Sequence, residues 1–125
     1  MLDIRNTTKQ KPLSKEADFV VIKEAILGKK YELSLAFVGD QKSRKLNYQF
    51  RKKAYIPNIL SFPLDEDSGE IFINIKKSRT EAEEFDMTPK QYIKFLFIHG
   101  CLHLTGLDHG EKMEKLEDKF SKKFL

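Results

Sequence analysis

All three histidines of this chain lie between residues 99 and 109, and their spacing constrains the fold more than any other feature. His99, His103 and His109 follow the pattern H-x3-H-x5-H, and Gly106 lies between the second and the third. Residues four apart share one face of a helix, so the rings of His99 and His103 can reach one ion. Gly106 can adopt the left-handed conformation that ends a helix and turns the chain back. The pattern predicts a metal site on a helix end and the following turn.

The chemistry expected at this site is that of catalytic rather than structural zinc. Three imidazoles without a fourth side-chain ligand leave a coordination position for water, so we expect one Zn²⁺ ion on His99, His103 and His109. The spacing also matches the metzincin proteases, in which a glutamate general base follows the first histidine. Gly100 occupies that position here. Its presence argues against ordinary zinc-peptidase chemistry.

The residues around the histidines have alternative interpretations. The histidines could be surface or core residues without a metal, although the third histidine and the glycine favour the metal site. Asp108 could orient a ligand histidine through a hydrogen bond, or it could be a turn residue only. Cys101 lies on the helical face opposite His99, so we expect it to be a small buried residue.

The segment that carries the first two histidines has the signals of a buried helix. Pro89 suits the first helical position, and Thr88 with Gln91 three residues later matches a capping box. Residues 93–104 are almost wholly apolar. We therefore expect a central buried helix that continues to Gly106 and holds two ligand histidines firmly.

Shorter patterns predict the remaining elements and the fold class. Strands are expected at 2–6, 31–38, 59–62 and 70–75, and further helices at 17–27, 40–51 and 111–124. Ser14 and Asp40 are candidate caps of the first two helices. The last helix has an apolar stripe that we expect to pack on the core: Met113, Leu116, Phe120 and Phe124. This mixture of strands and helices predicts an α+β fold with a small mixed β-sheet of about four strands packed with helices.

Length and composition limit the classes of protein to which this chain can belong. The 125 residues predict one domain over residues 1–125. A single cysteine excludes an internal disulfide framework and fits a reducing compartment. The first residues lack the pattern of a signal peptide, and the longest apolar stretch is too short for a membrane span. We therefore expect a soluble cytoplasmic protein that does not contact a membrane.

Charge is distributed unevenly along the chain, whose formal net charge is +4. Residues 40–55 contain six basic residues and one acidic residue, whereas residues 64–86 contain three basic and eight acidic ones. This contrast predicts a polarised surface, and its basic part suits an anionic partner such as nucleic acid. A solvated lysine-rich helix would have the same composition.

Taken together, four segments resemble the YbeY family of endoribonucleases, which act in ribosomal RNA maturation. The resemblance is carried by HGCLHLTGLDH at 99–109, LNYQFR at 46–51, NILSFP at 58–63 and GEI at 69–71. It covers roughly residues 40–120, in the family's order. Pro57 stands where the family usually has threonine, and Glu70 stands where aspartate is commoner.

The resemblance implies several roles at the site. A Zn²⁺ ion on the three histidines would face Arg51 across a cleft, and single-stranded RNA would be the substrate. A guanidinium can hold a phosphate and stabilise the charge that grows in the transition state. Nearby cations could follow the RNA backbone: Arg44, Lys45, Lys52 and Lys53. Tyr48 and Tyr55 could stack on bases, although packing in the core is the commoner role for such residues.

The expected function is a zinc-dependent, single-strand-specific endoribonuclease of ribosomal RNA processing. The resemblance implies a part in maturation of the 3′ end of small-subunit ribosomal RNA and in ribosome quality control. One alternative is a non-catalytic, ribosome-associated assembly factor that binds RNA. Another is a metallohydrolase of a different substrate, which the glycine at position 100 disfavours if the substrate is a peptide.

Overall fold

The structure is a computed structural model that describes residues 1–11 and 13–125. Its described residues form four strands and five helices. The strands are β1 (Leu2–Asn6), β2 (Glu32–Val38), β3 (Ile59–Asp65) and β4 (Ser68–Asn74). The helices are α1 (Glu16–Leu27), α2 (Asp40–Arg51), α3 (Ile75–Glu81), α4 (Pro89–Leu104) and α5 (Glu111–Phe124), with a 3-10 turn at Ala82–Phe85.

The strands form one mixed sheet in the order β1-β2-β4-β3. β1 and β2 are parallel, as are β2 and β4, so each pair needs a crossover connection. Helix α1 supplies the first crossover, and α2 with β3 supplies the second. β3 and β4 form an antiparallel hairpin. The predicted α+β class and small mixed sheet are confirmed.

Helix α4 is the central buried helix, as predicted. Its buried residues include Phe97 and Ile98, and it contacts α1, α5 and the β3–β4 hairpin. The predicted capping box is present at its start. Thr88 Oγ1 accepts from the Gln91 N–H at 3.2 Å, and Gln91 Oε1 accepts from the Thr88 N–H at 3.0 Å. The helix ends at Leu104, slightly before the predicted Gly106.

The last helix, α5, packs on the core as predicted. Its apolar stripe contacts the central cluster of buried residues through Met113, Leu116, Phe120 and Phe124. Cys101 is fully buried, and this burial raises the pKa of its thiol, which confirms it as a core residue. Among the residues that the structure describes, none of the helices combines the length and hydrophobicity needed to cross a membrane.

The cap of α1 differs from the prediction. The helix begins at Glu16, and Lys15 rather than Ser14 occupies its N-cap position. The Lys15 N–H donates to the Asp18 carboxylate at 3.2 Å, which closes the first turn. The Ser14 hydroxyl donates instead to the Lys90 carbonyl at 3.5 Å, since Ser14 is buried against the start of α4.

Tertiary contacts also change the role predicted for Asp40. Gly39 is the N-cap of α2, and Asp40 is its first helical residue. The Asp40 carboxylate accepts from Asn74 Nδ2 at 2.9 Å and pairs with Lys76 at 3.3 Å. The Asn74 hydrogen bond, helped by Lys76, holds the pKa of Asp40 below its usual value. The carboxylate therefore ties α2 to the end of β4 instead of capping its own helix.

Helix α3 is an element that the sequence patterns miss. They extend the fourth strand to Ile75, whereas β4 ends at Asn74 and α3 begins at Ile75. The Asn74 side-chain oxygen accepts from the Lys77 N–H at 3.0 Å and caps the new helix. Only Ile75 and Ser78 are buried in α3, so an apolar stripe is absent from this short helix. Its start depends on a cap that is recognisable only once the strand end is known.

The capping box of α4 leads to a prediction about stability. Replacing Thr88 with alanine removes the acceptor of the Gln91 N–H, and we expect the free energy of unfolding to fall by about 1 kcal/mol. Thr88→Ser retains the acceptor and should retain most of the stability. Urea denaturation of the two variants measures the difference. Equal losses in both would mean that the threonine methyl group, not the hydrogen bond, stabilises this helix start.

Candidate metal centre

The three histidines meet at the carboxyl end of α4. Their ligand nitrogens all lie within 4.8 Å of one another. His99 and His103 lie one turn apart on α4, and His109 belongs to the turn that precedes α5. Gly106 has a φ of 97° and allows this return of the chain. The fold therefore forms the cluster that the spacing predicts.

Hydrogen bonds at the outer ring nitrogens determine which atoms can bind a metal. His103 Nδ1 lies 3.0 Å from the Leu107 carbonyl oxygen, which can only accept, so this nitrogen carries the proton. His99 Nδ1 lies 2.9 Å from Glu117 Oε1, and an ionised carboxylate likewise only accepts. When both rings are neutral, each Nε2 presents a lone pair, and the two Nε2 atoms are 3.0 Å apart. Because facing lone pairs repel unless a cation lies between them, this donor set fits a bound metal ion.

The surroundings of His103 favour the neutral ring that metals require. Burial lowers the pKa of His103, and the nearby His99 and His109 lower it further. The Leu107 hydrogen bond and the Asp108 charge oppose this shift without reversing it. A neutral imidazole keeps the lone pair that a metal ion needs.

Glu117 is the carboxylate in contact with the cluster, and the sequence patterns do not single it out. The side chains of His99 and Glu117 are only 20% and 14% exposed. A carboxylate placed behind a ligand histidine fixes the orientation of the ring and makes it a stronger base. The sequence does contain a signal for Glu117, because this residue lies four positions after Met113, on the inward face of α5. Acidic residues on such a face are rare unless they have a partner.

Asp108, which could orient a ligand histidine or be a turn residue only, lies in the turn between α4 and α5. It lines the same cleft as the histidines, but its side chain is exposed in the turn. In the part of the chain that the structure describes, the histidine rings bond to Glu117 and to the Leu107 carbonyl rather than to Asp108. The charge of Asp108 partly offsets the lowering of the His103 pKa.

A cleft of about 670 Å³ joins the histidines to Arg51. Arg51 is the last residue of α2, far from the histidines in sequence. The cleft is lined by the three histidines, by Arg51 with Tyr55, and by residues of β3 that include Ser61. The fold therefore brings together the histidine cluster and the arginine that the family resemblance implies.

Arg51 is oriented by hydrogen bonds from its own helix and from the loop that follows. Its Nη1 donates to Asn47 Oδ1 and to the Tyr55 hydroxyl, each at 3.2 Å. Asn47 is fully buried, and its Nδ2 donates to the Tyr55 carbonyl at 3.0 Å. Both ends of one buried amide therefore support the guanidinium and the loop beside it. The other N–H groups of Arg51 make no bond to described residues and can reach a ligand.

The four other cations expected at the site lie outside the cleft lining. Arg44 and Lys45 are exposed on α2. Lys52 ends the helix with a left-handed φ of 57°, and the exposed Lys53 follows it. These residues form a basic surface next to the cleft, where they could contact a longer polyanion but not the reacting atoms.

Gly100 lies where α4 packs tightly against the sheet. Helix α4 approaches the sheet so closely here that a Cβ atom at residue 100 would lie 2.9 Å from Ile59 Cδ1 and 3.0 Å from Ile71 Cδ1. The Ser61 hydroxyl lies equally close and donates to the Gly100 carbonyl at 3.3 Å. A side chain at this position would point into the sheet, so it could not serve as the general base of a peptidase.

Similarity to known proteins identifies the family of this chain. A sequence model described as Endoribonuclease YbeY matches residues 3–124, nearly the whole chain. The chain belongs to the YbeY family. The resemblance carried by its motifs is thereby confirmed.

Curated YbeY relatives show how far the similarity extends. The Endoribonuclease YbeY of Polynucleobacter asymbioticus is 41% identical over 100 residues, which are 73% of this chain and 64% of that protein. The Endoribonuclease YbeY of Finegoldia magna is 37% identical over 93 residues, 69% of this chain and 61% of that protein. The chain thus spans less than two thirds of the length of these relatives.

A solved structure supports the fold of this YbeY-family chain. The solution structure of TM1509 from Thermotoga maritima is similar with a TM-score of 0.69 and 28% sequence identity. The similarity covers 98% of this chain and 87% of that one. The arrangement of sheet and helices is therefore shared with an experimentally determined protein.

The contact between Glu117 and His99 predicts an effect on metal affinity. Glu117→Gln keeps the shape of the side chain and removes its charge, so we expect the affinity for Zn²⁺ to fall about 10- to 100-fold. Competition with a chromophoric chelator measures the change. Glu114→Gln removes the same charge from the exposed side of α5 and should leave the affinity unchanged. An equal loss in both variants would mean that net charge, not contact with His99, is responsible.

The tight packing at Gly100 predicts that the fold tolerates glutamate less well at position 100 than at position 39. Gly100→Glu forces a carboxylate into the sheet, and we expect the free energy of unfolding to fall by about 3 kcal/mol or more. Gly39 is the matched control, because a Cβ atom there meets nothing within 4 Å. We expect Gly39→Glu to cost less than about 1 kcal/mol. Similar thermal unfolding of the two variants would contradict the close approach of α4 to the sheet.

Proposed function

We propose that this protein is a metal-dependent endoribonuclease that cuts single-stranded RNA. The observation that carries the proposal is the cleft that Arg51 shares with His99, His103 and His109. A cationic group that can bind a phosphate and a cluster that can bind a metal are the two components that phosphodiester cleavage needs. Membership of a family whose relatives are named Endoribonuclease YbeY supports the same activity.

The metal proposed for the site is Zn²⁺, held by His99, His103 and His109 with water as a further ligand. When bound, such an ion lowers the pKa of a bound water and polarises a phosphodiester oxygen. The lone pairs of the facing Nε2 atoms support this assignment. Imidazole also binds nickel and copper, so loading the protein with each metal in turn is part of the test.

The role proposed for Arg51 is to bind the phosphate and stabilise its growing negative charge. The guanidinium is planar and permanently charged, and it matches the geometry of a phosphate. Asn47 and Tyr55 orient it before any ligand is present. A group that is oriented in advance stabilises developing charge without a further cost of reorganisation.

The proposed substrate is ribosomal RNA, and the proposed setting is the cytoplasm. Within this proposal, residues 1–125 act as one nuclease domain in maturation of the small-subunit ribosomal RNA 3′ end and in ribosome quality control. The family resemblance supports this role, and the basic segment 40–55 supports an RNA partner. The packing at Gly100 counts against a peptidase, because a side chain there would displace Ile59, Ser61 and Ile71.

Cleavage of a labelled single-stranded RNA by the Zn²⁺-loaded protein tests the proposal. We expect His103→Ala to abolish cleavage, since it removes one of the metal ligands. We expect Arg51→Ala to lower kcat about 100- to 1,000-fold, the loss typical of one charge-stabilising donor. Arg5→Ala is the matched control, because Arg5 is an exposed arginine on β1, at the opposite edge of the sheet. It should cut like the wild type.

The pattern of cleavage and binding separates the proposal from its alternatives. Equal cleavage by wild type and His103→Ala would refute a role for the metal centre. Tight RNA binding without cleavage by the wild type, on ribosomal as well as model RNA, would favour a non-catalytic assembly factor. The chemical ends of the products then identify the nucleophile, because attack by the RNA 2′-hydroxyl leaves a cyclic phosphate and attack by water does not.

A further inference from the structure

Two tyrosines next to the cleft are exposed, contrary to the core packing that is their commoner role. Tyr48 is 61% exposed and Tyr55 is 53% exposed. Tyr48 lies on α2, and Tyr55 lies in the loop after it and lines the cleft. The packing interpretation is therefore wrong for both residues. A single exposed ring is ordinary, so their importance depends on what surrounds them.

A cation lies beside each of the two rings. Arg44, Tyr48 and Arg51 lie at positions i, i+4 and i+7, so they share a face that leads to the cleft. Lys52 Nζ lies 5.7 Å from the centroid of the Tyr48 ring. The Tyr55 hydroxyl accepts from Arg51 at 3.2 Å. We call Arg44, Tyr48, Lys52 and Tyr55 the α2 track.

The cations of the α2 track lack acidic partners in the part of the chain that the structure describes. Among the described residues, the ion pairs involve neither Arg44 nor Lys52. Asp40 is the only acidic residue between positions 40 and 55. Its carboxylate is already engaged by Asn74 at 2.9 Å and by Lys76 at 3.3 Å. The track therefore offers free cations to an anionic partner.

We propose that the α2 track binds single-stranded RNA, with bases stacked on Tyr48 and Tyr55 and phosphates contacted by Arg44 and Lys52. This inference rests on the proposed nuclease function and adds the side from which the strand reaches Arg51. Exposed rings interleaved with cations suit a single strand, because every unpaired base has a face that can stack. In a duplex those faces are covered, so only the phosphate contacts would remain.

The test compares two probes that carry the same charge. One is a fluorescent 2′-O-methyl oligouridine of about 12 nucleotides, within the range of known single-strand sites; the other is an abasic oligomer with the same number of phosphates. Fluorescence anisotropy gives the Kd of the Zn²⁺-loaded protein for each, and a gel checks that the probes stay intact. Stacking contributes to binding of the first probe only.

Tyr48 is the decisive position, because Tyr55 also supports Arg51. We expect Tyr48→Ala to weaken oligouridine binding about five-fold or more and to leave binding of the abasic probe unchanged. Tyr48→Phe retains the ring and should bind like the wild type. Arg44→Ala should weaken binding of both probes equally and reduce the salt dependence.

Phe50 provides a matched aromatic control on the same helix. It is 59% exposed, close to the value for Tyr48, but it points to another face of α2 and packs against Phe62 with ring centroids 5.4 Å apart. We expect Phe50→Ala to bind both probes like the wild type. Equal losses of oligouridine affinity in Phe50→Ala and Tyr48→Ala would overturn the inference, because they would reflect a general disturbance of α2.

The remaining outcomes distinguish this inference from the nuclease proposal. If Tyr48→Ala and Tyr55→Ala bind and cut RNA like the wild type, the α2 track is refuted while the nuclease proposal stands. Equal losses for both probes in Tyr48→Ala would also refute stacking. If the wild type binds oligouridine through Tyr48 but cuts no RNA, the track is supported and the nuclease proposal fails.

Discussion

The close approach of α4 to the β3–β4 hairpin is the constraint on which the histidine cluster depends. At Gly100, the side chains of Ile59 and Ile71 occupy the space that a Cβ atom would need. A core packed this closely resists rotation or sliding of the helix. His99 and His103, on either side of this contact in sequence, therefore keep a fixed position at the edge of the sheet. Such rigidity is what a site needs if its ligands are to be in place before the ion arrives.

The cleft combines this apolar framework with buried polar groups that orient the charged residues. Asn47 is fully buried and holds Arg51, while the nearly buried Glu117 holds His99. In each case a satisfied hydrogen bond in a region of low dielectric specifies one orientation of the side chain. The two groups come from α2 and α5. The site is thus oriented by elements that lie far apart in the sequence.

The features predicted correctly depend on residues that are close together in sequence. The capping box of α4, the return of the chain at Gly106 and the apolar stripe of α5 all follow from short spacings. The two capping errors occur where a distant residue bonds to the side chain. Asp40 bonds to Asn74 instead of capping α2, and Ser14 bonds to the Lys90 carbonyl instead of capping α1. Sequence periodicity contains no information about such partners.

By itself, the sequence determined the local chemistry of this protein: three histidines at the spacing of a helix and a turn, and a basic helix that ends in Arg51. These features depend only on backbone geometry over a few residues. Tertiary structure alone decided that Glu117, 18 residues after His99, supports that ring. It also decided that Tyr48 faces solvent beside free cations. Burial and long-range pairing arise from how the elements pack, which no single segment specifies.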